Sequence, residues 1–309
     1  MPFLFLFLDG VGLGPSDPHS NPFALASTPN LSLILGGQRL VKEALGPGNE
    51  PLVTAQATLL GLDAALGVEG RPQSASGQAA ILTGINIPAA LGRHYGPKPN
   101  PEIRAYLQKN TLFHTLVQGG FRTALLNAYP QNYFHSLRSG RRLPGAVAMA
   151  AIEAGLSLKT KADLLNGRAI SADFTAQGWR EQLKITDAPL LSPHQAGKQL
   201  ARLAKDHDFS FFEFWLSDYA GHKYDLPQAV KIVETLDTVL GGLITAWQPQ
   251  DGLILITSDH GNLEDTRTRK HTLNLVPGLV IGPEPHRRSF TQSLVDLTGI
   301  APAINRFFR

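Results

Sequence analysis

The chain has 309 residues, 43% of them hydrophobic and 17% charged, which excludes a disordered chain and suggests one large domain or two unequal ones. Its net charge is only +3 and its basic residues are scattered, without the concentrated patch that a nucleic-acid backbone demands. There is no cysteine, so disulfides, cysteine-ligated zinc, iron–sulfur clusters and a thiol nucleophile are excluded.

The first apolar run, Phe3–Leu8, has no basic residues before it and leads straight into Asp9 and Gly10. A signal peptide needs ~7–15 apolar residues after positive charge and a membrane span ~20, so the run is read as a buried strand. Similar runs follow at Phe121–Leu126, Phe209–Leu216, Leu253–Thr257 and Val276–Ile281. Being apolar on both faces, they suit central strands of a parallel sheet covered by helices. Helical patterns lie between and after them, at Pro101–Gly119, His194–Asp206, Pro227–Trp247 and Phe290–Leu297. The alternation predicts an α/β sandwich. Residues 133–193 differ, with small residues, the basic cluster Arg138, Arg141 and Arg142, and an alanine-rich helix at Ala146–Ala154. They read as a small cap inserted into a discontinuous catalytic domain of residues 1–132 and 194–309; a long decorated crossover within one domain is the alternative. A cytoplasmic protein without membrane or nucleic-acid partners is expected, and nothing in the sequence indicates an oligomeric state.

Open α/β sheets place ligands at the carboxyl ends of their strands. Asp9 follows the first strand, and Ser217, Asp218 and His222 follow the run ending at Leu216. Asp259 and His260 follow Leu253–Thr257, and His271 precedes the last strand. Each alone has a plain explanation as a turn former or a surface histidine. Together they supply carboxylates and imidazoles for Zn²⁺ or Mn²⁺, with Mg²⁺ also compatible, and they are more than one tetrahedral ion needs. A two-metal site is the economical reading, and two ions ~3.5–4 Å apart suit phosphoryl transfer. A second segment, Pro72 to Gly84, sets serines before Gly77 and a short apolar helix, whose free N–H groups would favour a phosphate or alkoxide. An ordinary N-cap is the alternative there.

The combination of Leu8-Asp9-Gly10, the Ser74 segment, Asp218-x-x-x-His222, Asp259-His260-Gly261-Asn262 and His271-Thr272-x-Asn274-x-Val276-Pro277 resembles the alkaline phosphatase superfamily. The nearest branch is the metalloenzyme group of cofactor-independent phosphoglycerate mutase and phosphopentomutase. The segment Ser293 to Pro302 is similar to that superfamily's closing helix. The resemblance covers about residues 1–130 and 195–309, and implies a three-layer sandwich with a mostly parallel central sheet. In that branch the nucleophile lies three residues before a glycine, which selects Ser74, with Ser76 as the alternative. The resemblance also implies one metal on Asp9, Ser74, Asp259 and His260, and a second on Asp218, His222 and His271. Two features depart from the mutases: Gln78 stands where they usually have histidine, and the cap is smaller. A small cap favours hydrolysis of a small phosphomonoester through a phosphoserine, because a mutase must exclude water while it holds its product. An intramolecular phosphomutase, a phosphodiesterase and a non-catalytic metal-binding protein are the alternatives. Donors to the substrate are expected from Asn86, Arg93, His94 and Lys98 after the nucleophile helix, and from Arg138, Arg141 and Arg142 in the cap.

Overall fold

The computed structural model describes residues 1–248 and 251–309. Its strands are β1 (Phe3–Leu8), β2 (Leu52–Val53), β3 (Ala57–Leu62), β4 (Thr123–Leu125), β5 (Phe209–Phe214), β6 (Leu253–Thr257) and β7 (Val276–Ile281). They form one sheet in the order β2-β3-β7-β6-β1-β5-β4. β1 is central and pairs in parallel with β5 and β6. Its alternation explains that place: Phe3, Phe5 and Phe7 enter one core, Leu4, Leu6 and Leu8 the other, and none is appreciably exposed. Burial of such a side chain stabilises by roughly 1.5–3 kcal/mol, so this short strand anchors both layers.

One layer holds the helices Pro193–Lys205 and Leu226–Ala246, with the short helices Pro22–Leu25 and Pro29–Ile34. The other holds Ser74–Thr83, Pro101–Leu107, Leu112–Gln118, Ala146–Glu153 and Ile300–Phe307. The protein is therefore a three-layer α/β sandwich with a mostly parallel sheet.

Several expectations change. The Val276–Ile281 run is antiparallel to its neighbours. Residues 258–275 contain no crossover helix, so the chain can only turn back beside β6. β2 and β3 extend the sheet where no strand was expected; their alternation is weak and β2 is an exposed edge. Pro101–Gly119 is two helices, because Thr111 caps a fresh start by accepting from the His114 N–H. Phe290–Leu297 is not a helix: one helix ends at Thr291, and Asp296 accepts from Thr298 N–H to begin a 3₁₀ turn before Ile300–Phe307.

Within residues 133–193, helix Ala146–Glu153 packs on the sheet-facing helices Ser74–Thr83, Pro101–Leu107 and Leu112–Gln118. Phe174 stacks on Phe212 and Phe214 of β5. A separate small cluster gathers Leu164, Ala169, Ala176, Trp179 and Ala188 against Ala128. Among the described residues, no helix is long and apolar enough to cross a membrane.

Candidate metal centre

Asp9 ends β1, Asp259 and His260 follow β6, and Asp218 lies on the helix Leu216–Gly221 after β5. His271 reaches the same edge because β7 runs antiparallel, so the loop before β7 lies beside the carboxyl end of β6. The close approach depends on glycine. Gly10 has φ +70°, and a Cβ there would stand 2.7–2.9 Å from Asp218; a Cβ on Gly77 would stand 2.9 Å from the Asp259 carbonyl.

Two clusters result. In the first, His260 Nε2 lies 3.1 Å from Ser74 Oγ, 3.4 Å from Asp9 Oδ1 and 3.7 Å from Asp259 Oδ2. In the second, His222 Nε2 lies 3.3 Å from Asp218 Oδ2 and 3.4 Å from His271 Nε2, which is 3.7 Å from Asp218 Oδ1. The clusters adjoin, the His260 and His271 rings stacking at 3.7 Å. All seven residues proposed as metal ligands from the sequence are thus brought together. Ser76 is not: its hydroxyl donates to Gln73 O at 3.2 Å and accepts from Tyr95 N–H at 3.0 Å.

The surroundings fit divalent cations. His271 Nδ1 donates to Pro72 O at 2.7 Å and His222 Nδ1 to Arg269 O at 2.8 Å. In the neutral rings both Nε2 atoms therefore carry lone pairs, and these face each other beside a carboxylate. Asp9 Oδ1 is buried without a hydrogen-bond partner. Burial, then Asp259 and Asp218, hold Asp9 well above the usual carboxylate range. Burial, then Asp218, raises Asp259 likewise. Burial, then His271, pushes His260 down to about 3, leaving a neutral ring able to ligate. The buried carboxylates disfavour one another's charge, and cations between them would relieve that repulsion.

The supporting residues were mostly missed in the sequence. Gln78 Nε2 donates to Asp259 Oδ2 at 3.0 Å and lies 3.5 Å from Asp9 Oδ2, so the residue that departs from the mutase pattern bridges the two carboxylates. Asn262 Nδ2 donates to Asp218 Oδ1 at 2.7 Å, and Arg71 donates to the His271 carbonyl. Glu264, fully buried, accepts from Gly12 N–H, Asn262 N–H, Asn274 Nδ2 and the Thr272 hydroxyl. It ties together three loops that carry ligands. Its only signal was position, two residues beyond Asn262.

The expected substrate donors are less united. Asn86 caps the helix Ile87–Leu91 by accepting from Ala89 N–H, and it donates to Leu66 O. His94 Nε2 bonds Val68 O at 3.2 Å. Both side chains are engaged by neighbouring backbone. Arg93 lies over the Tyr95 ring, and Lys98 is exposed. Arg138, Arg141 and Arg142 are all exposed; Arg142 lies over the Tyr133 ring, 5.2 Å from its centroid, and lines a cavity of about 1130 Å³.

A family model described as the metalloenzyme superfamily matches residues 182–309. Similar curated proteins include the 2,3-bisphosphoglycerate-independent phosphoglycerate mutase of Rhodopseudomonas palustris, 36% identical over 99 residues, which are 29% of this chain and 20% of that protein. The mutase of the same name from Clostridioides difficile is 38% identical over 118 residues, 35% of this chain and 22% of that protein. The matched part spans about a fifth of these relatives' length. Among solved structures, alkaline phosphatase from the Antarctic bacterium TAB5 superposes with a TM-score of 0.55 at 13% identity, covering 99% of this chain and 97% of that one. The PH0037 protein from Pyrococcus horikoshii gives 0.54 at 15% identity, covering 92% and 86%. At such identities the likeness is one of fold. Over its C-terminal part the chain thus resembles the metalloenzyme superfamily and the phosphoglycerate mutases, and its whole length has an alkaline-phosphatase-like fold.

Proposed function

We infer that the chain is a two-metal phosphoryl-transfer enzyme that hydrolyses a small phosphomonoester through a phosphoserine at Ser74. The observation that carries this reading is the Ser74 hydroxyl, 3.1 Å from His260 Nε2, at the start of a helix and beside two clusters of acids and imidazoles. Asp9, Ser74, Asp259 and His260 would hold one ion, and Asp218, His222 and His271 the other. Mn²⁺ or Zn²⁺ suits this oxygen and nitrogen donor set, and Mg²⁺ is compatible with its carboxylates. Bound ions supply Lewis acidity that lowers the serine pKa and neutralises phosphate oxygens. The chain does the rest. The helix Ser74–Thr83 aims its N-terminus at the incoming phosphate, with the Ser74 and Ala75 amides free of intrahelical partners. Gln78 holds Asp9 and Asp259 in register without adding charge. Ser74 Oγ attacks phosphorus in line, the ester oxygen leaves with a proton, and water later releases inorganic phosphate and restores the serine.

In this reading residues 1–132 and 194–309 are the catalytic unit and 133–193 the cap, with the Trp179 cluster its outer part and helix Ala146–Glu153 its anchor. The protein is cytoplasmic. The relatives' name favours a second reading, transfer of the phosphoryl group back to another oxygen of the same molecule. ³¹P NMR of the Mn²⁺-loaded protein with sugar phosphates and phosphoglycerates separates the two. Growth of free phosphate, absent with Ser74→Ala, is expected. A new ester resonance without free phosphate would establish the mutase, and full activity of Ser74→Ala would overturn the covalent mechanism.

A further inference from the structure

A cavity of about 1130 Å³ lies where β5 ends. In register, Glu213 pairs with Phe7 of β1, two residues before Asp9. Trp215 and Leu216 line the cavity immediately before Ser217 and Asp218. The Asp259 carboxylate adds to burial in pushing Glu213 up to about 7, which puts Glu213 within electrostatic reach of the first cluster. The end of β5 thus leads both into the cavity wall and on to Asp218, and that shared element argues for one occupant, the organic part of the phosphoester.

The walls define its chemistry. The Tyr129 and Tyr133 rings lie against each other, tilted by 32° with centroids 4.6 Å apart, and Trp179 and Trp215 supply further ring surface. Several polar groups on the walls are already engaged. Asn127 makes both its amide bonds to the Glu213 backbone, Asp173 accepts from Ala176 and Gly178 N–H, Arg180 donates to Ala188 O, and Glu181 accepts from Gln177. Among the described residues, the Glu213 carboxyl and the Tyr129 and Tyr133 hydroxyls make no hydrogen bond within the chain, and a ligand that leaves them unpaired binds poorly. Hydroxyl groups satisfy a carboxyl and two phenols, and the C–H faces of a saturated ring pack on aromatic walls. A ligand carboxylate would face the Glu213 carboxyl, and of the two guanidinium groups on the walls Arg142 already lies on Tyr133 and Arg180 donates through Nε to Ala188 O.

We propose that this cavity binds a neutral, polyhydroxylated ring moiety of the substrate, with Glu213 as the residue that selects it over carboxylate-bearing phosphates such as phosphoglycerates. The proposal rests on the phosphoryl-transfer reading of the adjoining centre. It is tested on Mn²⁺-loaded Ser74→Ala protein by intrinsic fluorescence, since Trp179 and Trp215 line the cavity while Trp247 is buried elsewhere. Glucose 1-phosphate should half-saturate the signal at a concentration roughly tenfold lower than 3-phosphoglycerate. Glu213→Gln should narrow that ratio to about threefold or less, chiefly by improving phosphoglycerate binding. Trp215→Ala, at a residue 45% exposed, should weaken glucose 1-phosphate without unfolding the chain. Equal or tighter binding of 3-phosphoglycerate would overturn the proposal in favour of an anion site at Arg142, and a fluorescence response to neither ligand would overturn it outright. Wild-type turnover of p-nitrophenyl phosphate is measured in parallel. Ser74-dependent turnover without the sugar preference removes this inference alone, and the sugar preference without turnover of any ester removes the enzymatic reading alone.

Discussion

Glu264 offers the sharpest test of how the site is built. Its Oε2 accepts from Gly12 N–H at 2.9 Å and Asn262 N–H at 2.8 Å; its Oε1 accepts from Asn274 Nδ2 at 3.0 Å and from the Thr272 hydroxyl. Glu264→Ala removes every one of these acceptors inside a fully buried site. Thr272 and Asn274 can rotate toward other partners, but the two backbone amides cannot. An unsatisfied buried donor costs about 1–3 kcal/mol, so the two amides together cost about 2–6 kcal/mol. That is a large part of the ~5–15 kcal/mol by which a domain is stable. Glu264→Gln keeps a carbonyl oxygen for both backbone amides; it forfeits the charge assistance and the Oε1 acceptor of Asn274 and Thr272, which can turn to other partners, so its loss is about 1–2 kcal/mol. Urea denaturation followed by circular dichroism, with m-values compared, measures both. The alanine variant should also bind Mn²⁺ more weakly, because the loops bearing Asp9, Asp259, His260 and His271 lose their common tie. An alanine variant within about 1 kcal/mol of the wild type, or a glutamine variant worse than alanine, would refute the reasoning.

Three further outcomes are expected. Asp259→Asn and His260→Ala each remove one donor from the first cluster and should lower the metal bound per chain by elemental analysis; unchanged stoichiometry would contradict the assignment. The metal-free protein should lose stability as pH rises from 5 to 7.5. The folded-state values of Asp9, Asp259 and Glu213 are raised, those of Asp259 and Glu213 to about 7, so stability present at low pH is lost as they ionise. His260, lowered to about 3, works the other way between 3 and 6.5, one group against three. Added Mn²⁺ favours the ionised carboxylates, so its gain in melting temperature should be larger at pH 7.5 than at pH 5. An equal gain at both would remove the carboxylates as its cause.

Much of the fold was legible because Phe3–Leu8, Phe209–Phe214 and Leu253–Thr257 are apolar on both faces, a local pattern with few structural meanings. Asp9 and Asp259 were legible for the same reason, since a polar residue closing such a run must lie at the sheet edge. Ser76 against Ser74 was not decidable along the chain; only the Tyr95 amide, brought in from a later loop, shows which hydroxyl is occupied. Asn86 and His94 looked available as donors until the Leu66 and Val68 carbonyls were placed beside them.

The chain's own pattern of residues determined which side chains could meet a cation and on which strands they travel, because strand periodicity and residue chemistry are local properties. His271 was expected among them through the family resemblance, but the physical reason that it reaches them lies in the tertiary structure. A residue ahead of a parallel strand would lie at the opposite edge, and only the antiparallel return of β7 carries His271 to the carboxyl end of β6. Tertiary structure alone made Glu264 a tie and Glu213 a cavity wall, since each owes its role to partners far away in sequence that close packing brings within hydrogen-bonding or electrostatic reach.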